Sequence, residues 1–376
     1  MLELKVYKMK LNKKHLSYDQ LYQSGFSLVE LMVGLVIGLI ASLVIMQVFS
    51  AFEGQKRSTS GTADAQTNGS IALHHIQRDV QMAGYGLPMP SADADNTSLN
   101  CSPFPVFDHD DNPATPDLDV FPLVIDDAGS ADGVSDVVTA RFSNTAMGAI
   151  PVKIVNATNA NAATGLAAEN NIGCKDNDIV LISQGPLCRM TRVADANGSP
   201  DTLQNIALIG STPVGAPIAI GAKIACMGDW RDYRYEVVDN QLTLDGVPIV
   251  SEIVNMQAQY GVSAVANSNQ VVNWVNATGI WASTATSPTV ENRNRIKAIR
   301  IVVVARNDLL EKDDVTAPCT TARGVVNNGP CAWDDADFDA APTIDLSAIE
   351  DWQRYRYKTF ETIIPLRNML WSRDVL

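Results

Sequence analysis

The sequence is poor in histidine, in aromatic residues and in positive charge, and each shortage closes off a class of function. Four histidines and the lack of any Cys-x-x-Cys pair leave little from which to build a zinc or dithiol centre. Aromatic residues are 6% of the chain while Asn, Thr, Ser and Ala are plentiful, a balance that suits a secreted surface protein better than an enzyme with a dense core. The formal charge is −14, so phosphate is repelled and nucleic acid is not an expected partner. No Gly-x-Ser-x-Gly, His-Glu-x-x-His, phosphate-binding loop or dinucleotide fingerprint occurs. We therefore assign no catalytic residue and no metal, and do not expect an enzyme.

The most telling shortage is local. Between Phe26 and Phe52 the only charged side chain is Glu30. A run of about 27 residues at ~1.5 Å each extends ~40 Å, enough to span a hydrocarbon core of ~30 Å. Lys5, Lys8, Lys10, Lys13 and Lys14, against Glu3 and Asp19, precede it and place the N-terminus in the cytoplasm and the bulk of the chain outside. A cleaved secretory signal has a shorter apolar run and a small-x-small site, neither of which is present. An ordinary anchor explains all of this except Gly25 and Glu30. A carboxylate inside such a run costs roughly 2.5–3.5 kcal/mol at the helix centre, and needs a reason.

The residues from Gly25 to Leu31, GFSLVEL, supply one. With the basic leader before them they resemble the processing site of type IV prepilins. The resemblance implies cleavage between Gly25 and Phe26 by a prepilin peptidase, N-methylation of Phe26, and pairing of Glu30 with the N-terminal amine of a neighbouring subunit. Opposite charge beside a carboxylate in low dielectric offsets much of its cost, so the physics agrees with that role.

Helical periodicity continues beyond Phe52, with Ala72, Leu73, Ile76, Val80 and Ala83 on one face. Gly84, Gly86 and Pro88 should stop the helix. Gly54, Gly61 and Gly69 each cost about 1 kcal/mol relative to Ala, so the middle is expected to bend or fray. Strands are expected at 134–142, 178–183, 234–238, 241–244, 253–260, 297–305 and 357–364, with tight hairpins at Asp239-Asn240 and Asp245-Gly246. Long polar loops fill 88–116, 144–175, 194–205, 264–292 and 311–341. The fold class is α+β: a long N-terminal transmembrane helix leading into an antiparallel β-rich, pilin-like domain. Its parts are a cleaved leader (1–25), a transmembrane and assembly helix (26–52), its extracytoplasmic continuation (53–85) and the β-rich domain (86–376).

A second resemblance covers scattered segments of that domain. IQRDVQMAGYG (76–86), the stretch 233–262 beginning YRYEVVDNQL, IKAIRIVVVAR (296–306) and YRYKTFETIIPLRN (355–368) are similar to PilW-type minor pilins. These are larger relatives of the J pseudopilins of type II secretion, and the length of this chain favours the pilus branch. The resemblance implies a bacterial inner-membrane protein with its C-terminal domain in the periplasm. It would help initiate pilus assembly, enter the extracellular fibre, sit near its tip and support motility and adhesion. Implied partners are other minor pilins, the major pilin, the peptidase and a tip adhesin. The alternatives are a J-class pseudopilin and a membrane-anchored extracytoplasmic hydrolase, the latter opposed by the missing motifs.

Six cysteines, Cys101, Cys174, Cys188, Cys226, Cys319 and Cys331, all lie beyond the apolar run, where the environment oxidises thiols. Cys319 and Cys331 flank a short loop and make the easiest bridge. Cys174 and Cys188 stand at opposite ends of a strand, so Cys188 is expected to reach Cys226. Two acidic clusters, 108–111 with Asp117 and Asp119, and 334–339, read first as solvated loops and only second as calcium sites, because neither has EF-hand spacing. His74 and His75 are neighbours on a helix and point about 100° apart, which precludes a metal pair. Arg293, Arg295, Lys297 and Arg300 are expected to alternate onto a strand face.

Overall fold

The computed structural model describes residues 25–87, 101, 106–107, 117–127, 134–145, 149–155, 166–170, 174–184, 187–193, 205–206, 218–266, 268–283, 288–333 and 341–369. Residues 1–24 of the expected leader, Pro88, Asp108–Asp111 and the 334–339 cluster lie outside them. The chain divides into two units, Met1–Arg57 and Ser58–Leu376.

One helix, α1 (Leu28–Met82), carries residues of both. It is unbroken through Gly54, Gly61 and Gly69, so the fraying expected in its middle does not occur. Propensity counts the backbone entropy of glycine but not what glycine permits. A Cβ on Gly61 would lie 2.0 Å from the Asn307 side chain, and one on Gly69 would lie 2.1 Å from the Phe360 ring. These glycines are notches that let the sheet press against the helix. Gly84, at φ +79°, then ends α1 in the left-handed region, its N–H donating to the Arg141 carbonyl at 2.9 Å.

Among the described residues beyond the helix are twelve strands of four or more residues: β1 (Leu123–Asp126), β2 (Val137–Ser143), β3 (Ile179–Gln184), β4 (Leu187–Arg192), β5 (Lys223–Gly228), β6 (Trp230–Val238), β7 (Gln241–Leu244), β8 (Val247–Ser251), β9 (Ile253–Ser263), β10 (Val271–Val275), β11 (Ile296–Arg306) and β12 (Tyr357–Pro365). A short helix, α2 (Val290–Arg295), precedes β11, with Thr289 as its N-cap. Three antiparallel sheets result: β8-β7-β6-β2-β1, β10-β9-β11-β12, and a third in which the two-residue strand Val152–Lys153 flanks β5-β3-β4. Both expected hairpins are present. Asp239 and Asn240 have φ of 50° and 59°, and Asp245 and Gly246 have 51° and 77°, the positive pair that matches strand twist. The loop expected over 264–292 instead contains β10 and the start of α2.

The main core lies where α1 meets the first two sheets. Ala65, Ala72, Ile76, Val80 and Ala83 face Ile125, Val138, Tyr235, Tyr260, Ile299, Ile301 and Val303 in one buried cluster. On β11 the alternate residues Val302 and Val304 turn to the other face and bury Ala332, Ile344 and Leu346. The third sheet also buries both faces, Ile179 and Leu181 in one cluster and Val180 and Ile182 in another.

Three disulfides close the domain: Cys101–Cys188, Cys174–Cys226 and Cys319–Cys331. The expected Cys188–Cys226 pair is corrected. Val180 lies opposite Cys226 and Thr191 opposite Val180, so Cys188 is on β4, two strands across the sheet from β5. Cys188 packs with the cluster that holds Cys101, while Cys174 and Cys226 share the cluster on the other face.

Candidate functional site

Gly25, Phe26 and Ser27 precede the first turn of α1, in which the Leu31 N–H donates to the Ser27 carbonyl at 3.0 Å. Phe26 is 81% exposed, and a Cβ on Gly25 would meet nothing within 4 Å. Packing therefore does not demand glycine here. Glu30 lies in the first turn, where a carboxylate favours the positive end of the helix dipole.

Beyond Glu30 the helix is long and apolar enough to cross a membrane, with a mean hydropathy of 2.7 in its most apolar window and none of that window buried. Leu28, Leu35, Leu39, Leu43, Ile45, Phe49 and Phe52 are all more than half exposed. An apolar surface of this extent is covered by lipid or by other helices in any working state. Gly34, Gly38 and Ser42 succeed Glu30 at four-residue steps, so all four lie along one row of the helix. Nothing lies within 4 Å of a Cβ built on Gly34 or Gly38.

The other end of α1 is fixed by a buried polar contact that the residues alone did not suggest. The Tyr235 hydroxyl donates to Asp79 Oδ2 at 2.5 Å, and Arg78 Nε donates to Asp79 Oδ1 at 2.7 Å. Burial first, then the bond and charge of Asp79, push the Tyr235 phenol well above its usual range. An i, i+1 Arg-Asp pair next to an apolar helical stripe was the available signal.

The structure redistributes the other candidates. Arg293 and Arg295 lie on α2 rather than on a strand, which corrects the expected alternation; the Thr289 cap starts a helix just before β11. Arg293 donates to the carbonyls of Pro288 and Cys101, and Arg295 stacks on Trp281 at 5.3 Å. Arg300 sits between the Trp274 and Trp333 rings and donates to Gln259 at 2.7 Å. Lys297 donates to the Ala266 carbonyl at 3.2 Å, and burial pulls it down to about 8. This run is structural packing. Asp119 accepts from Arg141 at 2.7 Å, and Arg141 also donates to Asp232 at 2.9 Å. Asp119 of the first acidic cluster is thus tied into an ion-pair triad, while Asp117 is exposed. His74 is exposed and His75 half-buried, with ring centroids 6.4 Å apart. Among the described residues no group of His, Cys, Asp or Glu is arranged to hold a metal.

Two comparisons bear on this geometry. The family model described as Prokaryotic N-terminal methylation motif matches residues 21–46, which bracket Gly25, Glu30 and the exposed glycines. The model described as Type IV Pilus-assembly protein W matches residues 230–368, the span from β6 through β12. Both matches support a type IV prepilin-like minor pilin. No curated protein and no solved structure matches it. The methylation motif and the apolar helix support a membrane-anchored pilin, and the pilus-assembly family implies association with other pilins and with pilus machinery. The family is one of structural subunits rather than enzymes.

Proposed function

We propose that this chain is made as an inner-membrane precursor, cleaved between Gly25 and Phe26, methylated on Phe26, and added to a pilus whose assembly it helps to initiate. The observation that carries the reading is the exposed apolar half of α1, with its single carboxylate four residues after Phe26. A free amine at Phe26 and the Glu30 carboxylate of an adjacent helix are complementary charges about one helical turn apart along the axis, and a stagger that pairs them in low dielectric favours a bundle over isolated helices. The β-rich domain then stands in the periplasm before assembly and on the fibre, near the tip, afterwards. There its loops support motility and adhesion, with other minor pilins, the major pilin, the peptidase and a tip adhesin as partners. No cofactor is needed for this role.

Glu30→Gln tests the reading, because it removes the charge and keeps the shape. Processed protein should accumulate normally in the inner membrane, while its amount in sheared fibres falls at least tenfold and pili per cell decrease. The assay is immunoblotting of membrane and sheared-fibre pools. Wild-type incorporation of the variant would exclude charge pairing as the reason for Glu30.

A further inference from the structure

Beside α1, at the point where β11 ends and β12 begins, the second unit has a cavity of about 280 Å³. Its polar walls are Thr62 from the helix, Asn307 just after β11, Thr316, and Arg356 and Lys358 at the start of β12. Asn307 is 1% exposed, so its polar atoms are removed from water. Its Oδ1 accepts from the Leu309 N–H at 2.9 Å, which identifies the other atom as the amide nitrogen, and that nitrogen is buried without a partner. A buried donor left unmade costs free energy that a fold does not usually leave standing.

The neighbouring cations are only partly engaged. Arg356 Nε donates to Glu311 at 2.8 Å, leaving its terminal nitrogens. Lys358 Nζ donates to Gln66 Oε1 at 2.9 Å, with two of its three donors remaining. Thr62 and Thr316 spend their hydrogens on the carbonyls of Ser58 and Tyr355 and turn only acceptor lone pairs outward. The spare capacity of the pocket is therefore weighted toward donors: an amide, a guanidinium and an ammonium. With Glu311 counted, the two cations leave a single net positive charge. A monovalent anion with two acceptor oxygens fits that set better than a divalent phosphate, and the volume has room for the stem that carries it. We propose that this cavity is a carboxylate-binding site, occupied by a free organic acid or by an acidic side chain of another protein subunit. A bound carboxylate would satisfy Asn307 and join α1 to β12. The inference is independent of the pilus reading, since none of its residues lies in the apolar half of the helix.

The test uses the full chain in detergent micelles, titrated with acetate and, at equal ionic strength, with chloride and phosphate. Binding is read from the Asn307 side-chain amide resonances. Acetate should give a saturable shift, chloride none, and the apparent affinity should fall at least tenfold in Arg356→Gln and in Lys358→Gln. Both are surface changes that leave the core intact, which circular dichroism verifies. An acetate shift no different from that with chloride, tighter binding of phosphate than of acetate, or saturation unaltered in both variants would overturn the proposal. On cells, a zero-length carbodiimide joins an amine to a carboxylate it touches. A Lys358-dependent adduct with another chain assigns the carboxylate to a partner subunit, and acetate saturation without such an adduct assigns it to a free acid.

Discussion

The sheets that lean on α1 and the sheet built from β3, β4 and β5 bury apolar surface by different means. Around α1 a single large cluster joins a helix and two sheets, and it contains no cysteine. The β3–β5 sheet instead carries a thinner cluster on each face, and each has a disulfide in it: Cys174–Cys226 on one, and Cys101 with the adjacent Cys188 on the other. Where no long helix is available to deepen the core, covalent links restrict the unfolded chain instead. The third bridge, Cys319–Cys331, likewise stands next to the small cluster around Ala332.

That contrast makes its largest prediction for the cross-links. By loop-closure entropy, replacing both members of Cys101–Cys188, which are 87 residues apart, should cost about 4–5 kcal/mol. Loss of Cys174–Cys226, 52 residues apart, should cost about 4 kcal/mol, and of Cys319–Cys331, 12 apart, about 3 kcal/mol. Urea unfolding of the double-alanine variants gives these values. If the first two pairs cost no more than the third, the staple account fails.

The helix-backed core should respond to chemistry rather than to linkage. Tyr235→Phe deletes the hydroxyl that reaches Asp79 and should destabilise by about 1.5–3 kcal/mol, the range for a bond to a charged acceptor. The measurement is the same unfolding curve, and a change under about 0.5 kcal/mol would show that Arg78 alone satisfies Asp79.

A smaller effect separates the two halves of α1. Gly69→Ala should destabilise by about 1–3 kcal/mol because the new methyl meets the Phe360 ring. Gly34→Ala, in open space, should stabilise the isolated chain by less than about 1 kcal/mol. Calorimetry on the pair checks the sign. Equal responses would mean that the notch at Gly69 does not hold the helix.

Much of this was legible in the residues, for identifiable reasons. The motif from Gly25 to Glu30 can be read because it is a short contiguous pattern with one anomalous charge. β9, β11 and β12 were legible because long apolar or alternating runs leave little choice of element, and both hairpins because Asp-Asn and Asp-Gly accept positive φ. The misses have causes as well. β4 is written LCRMTR, too polar to suggest a strand until its pairing with β3 is known. β8 contains Pro248, which reads as a breaker but is tolerated at the edge of a sheet. β10 was hidden in a segment that looked like loop. Cysteine partners depend on which face of a sheet each residue reaches, and sequence spacing carries no such information. Asn307 gave no signal, since an orphaned amide exists only once the burial around it is known.

The two notches on α1 also have a mechanical meaning. Gly61 receives Asn307 and Gly69 receives Phe360, eight residues apart on the same helix. Sliding α1 along the sheet would drive both side chains against residues that have a Cβ. Tension along the helix is therefore carried in shear by two interlocks at once, and has to displace both before the helix can slip.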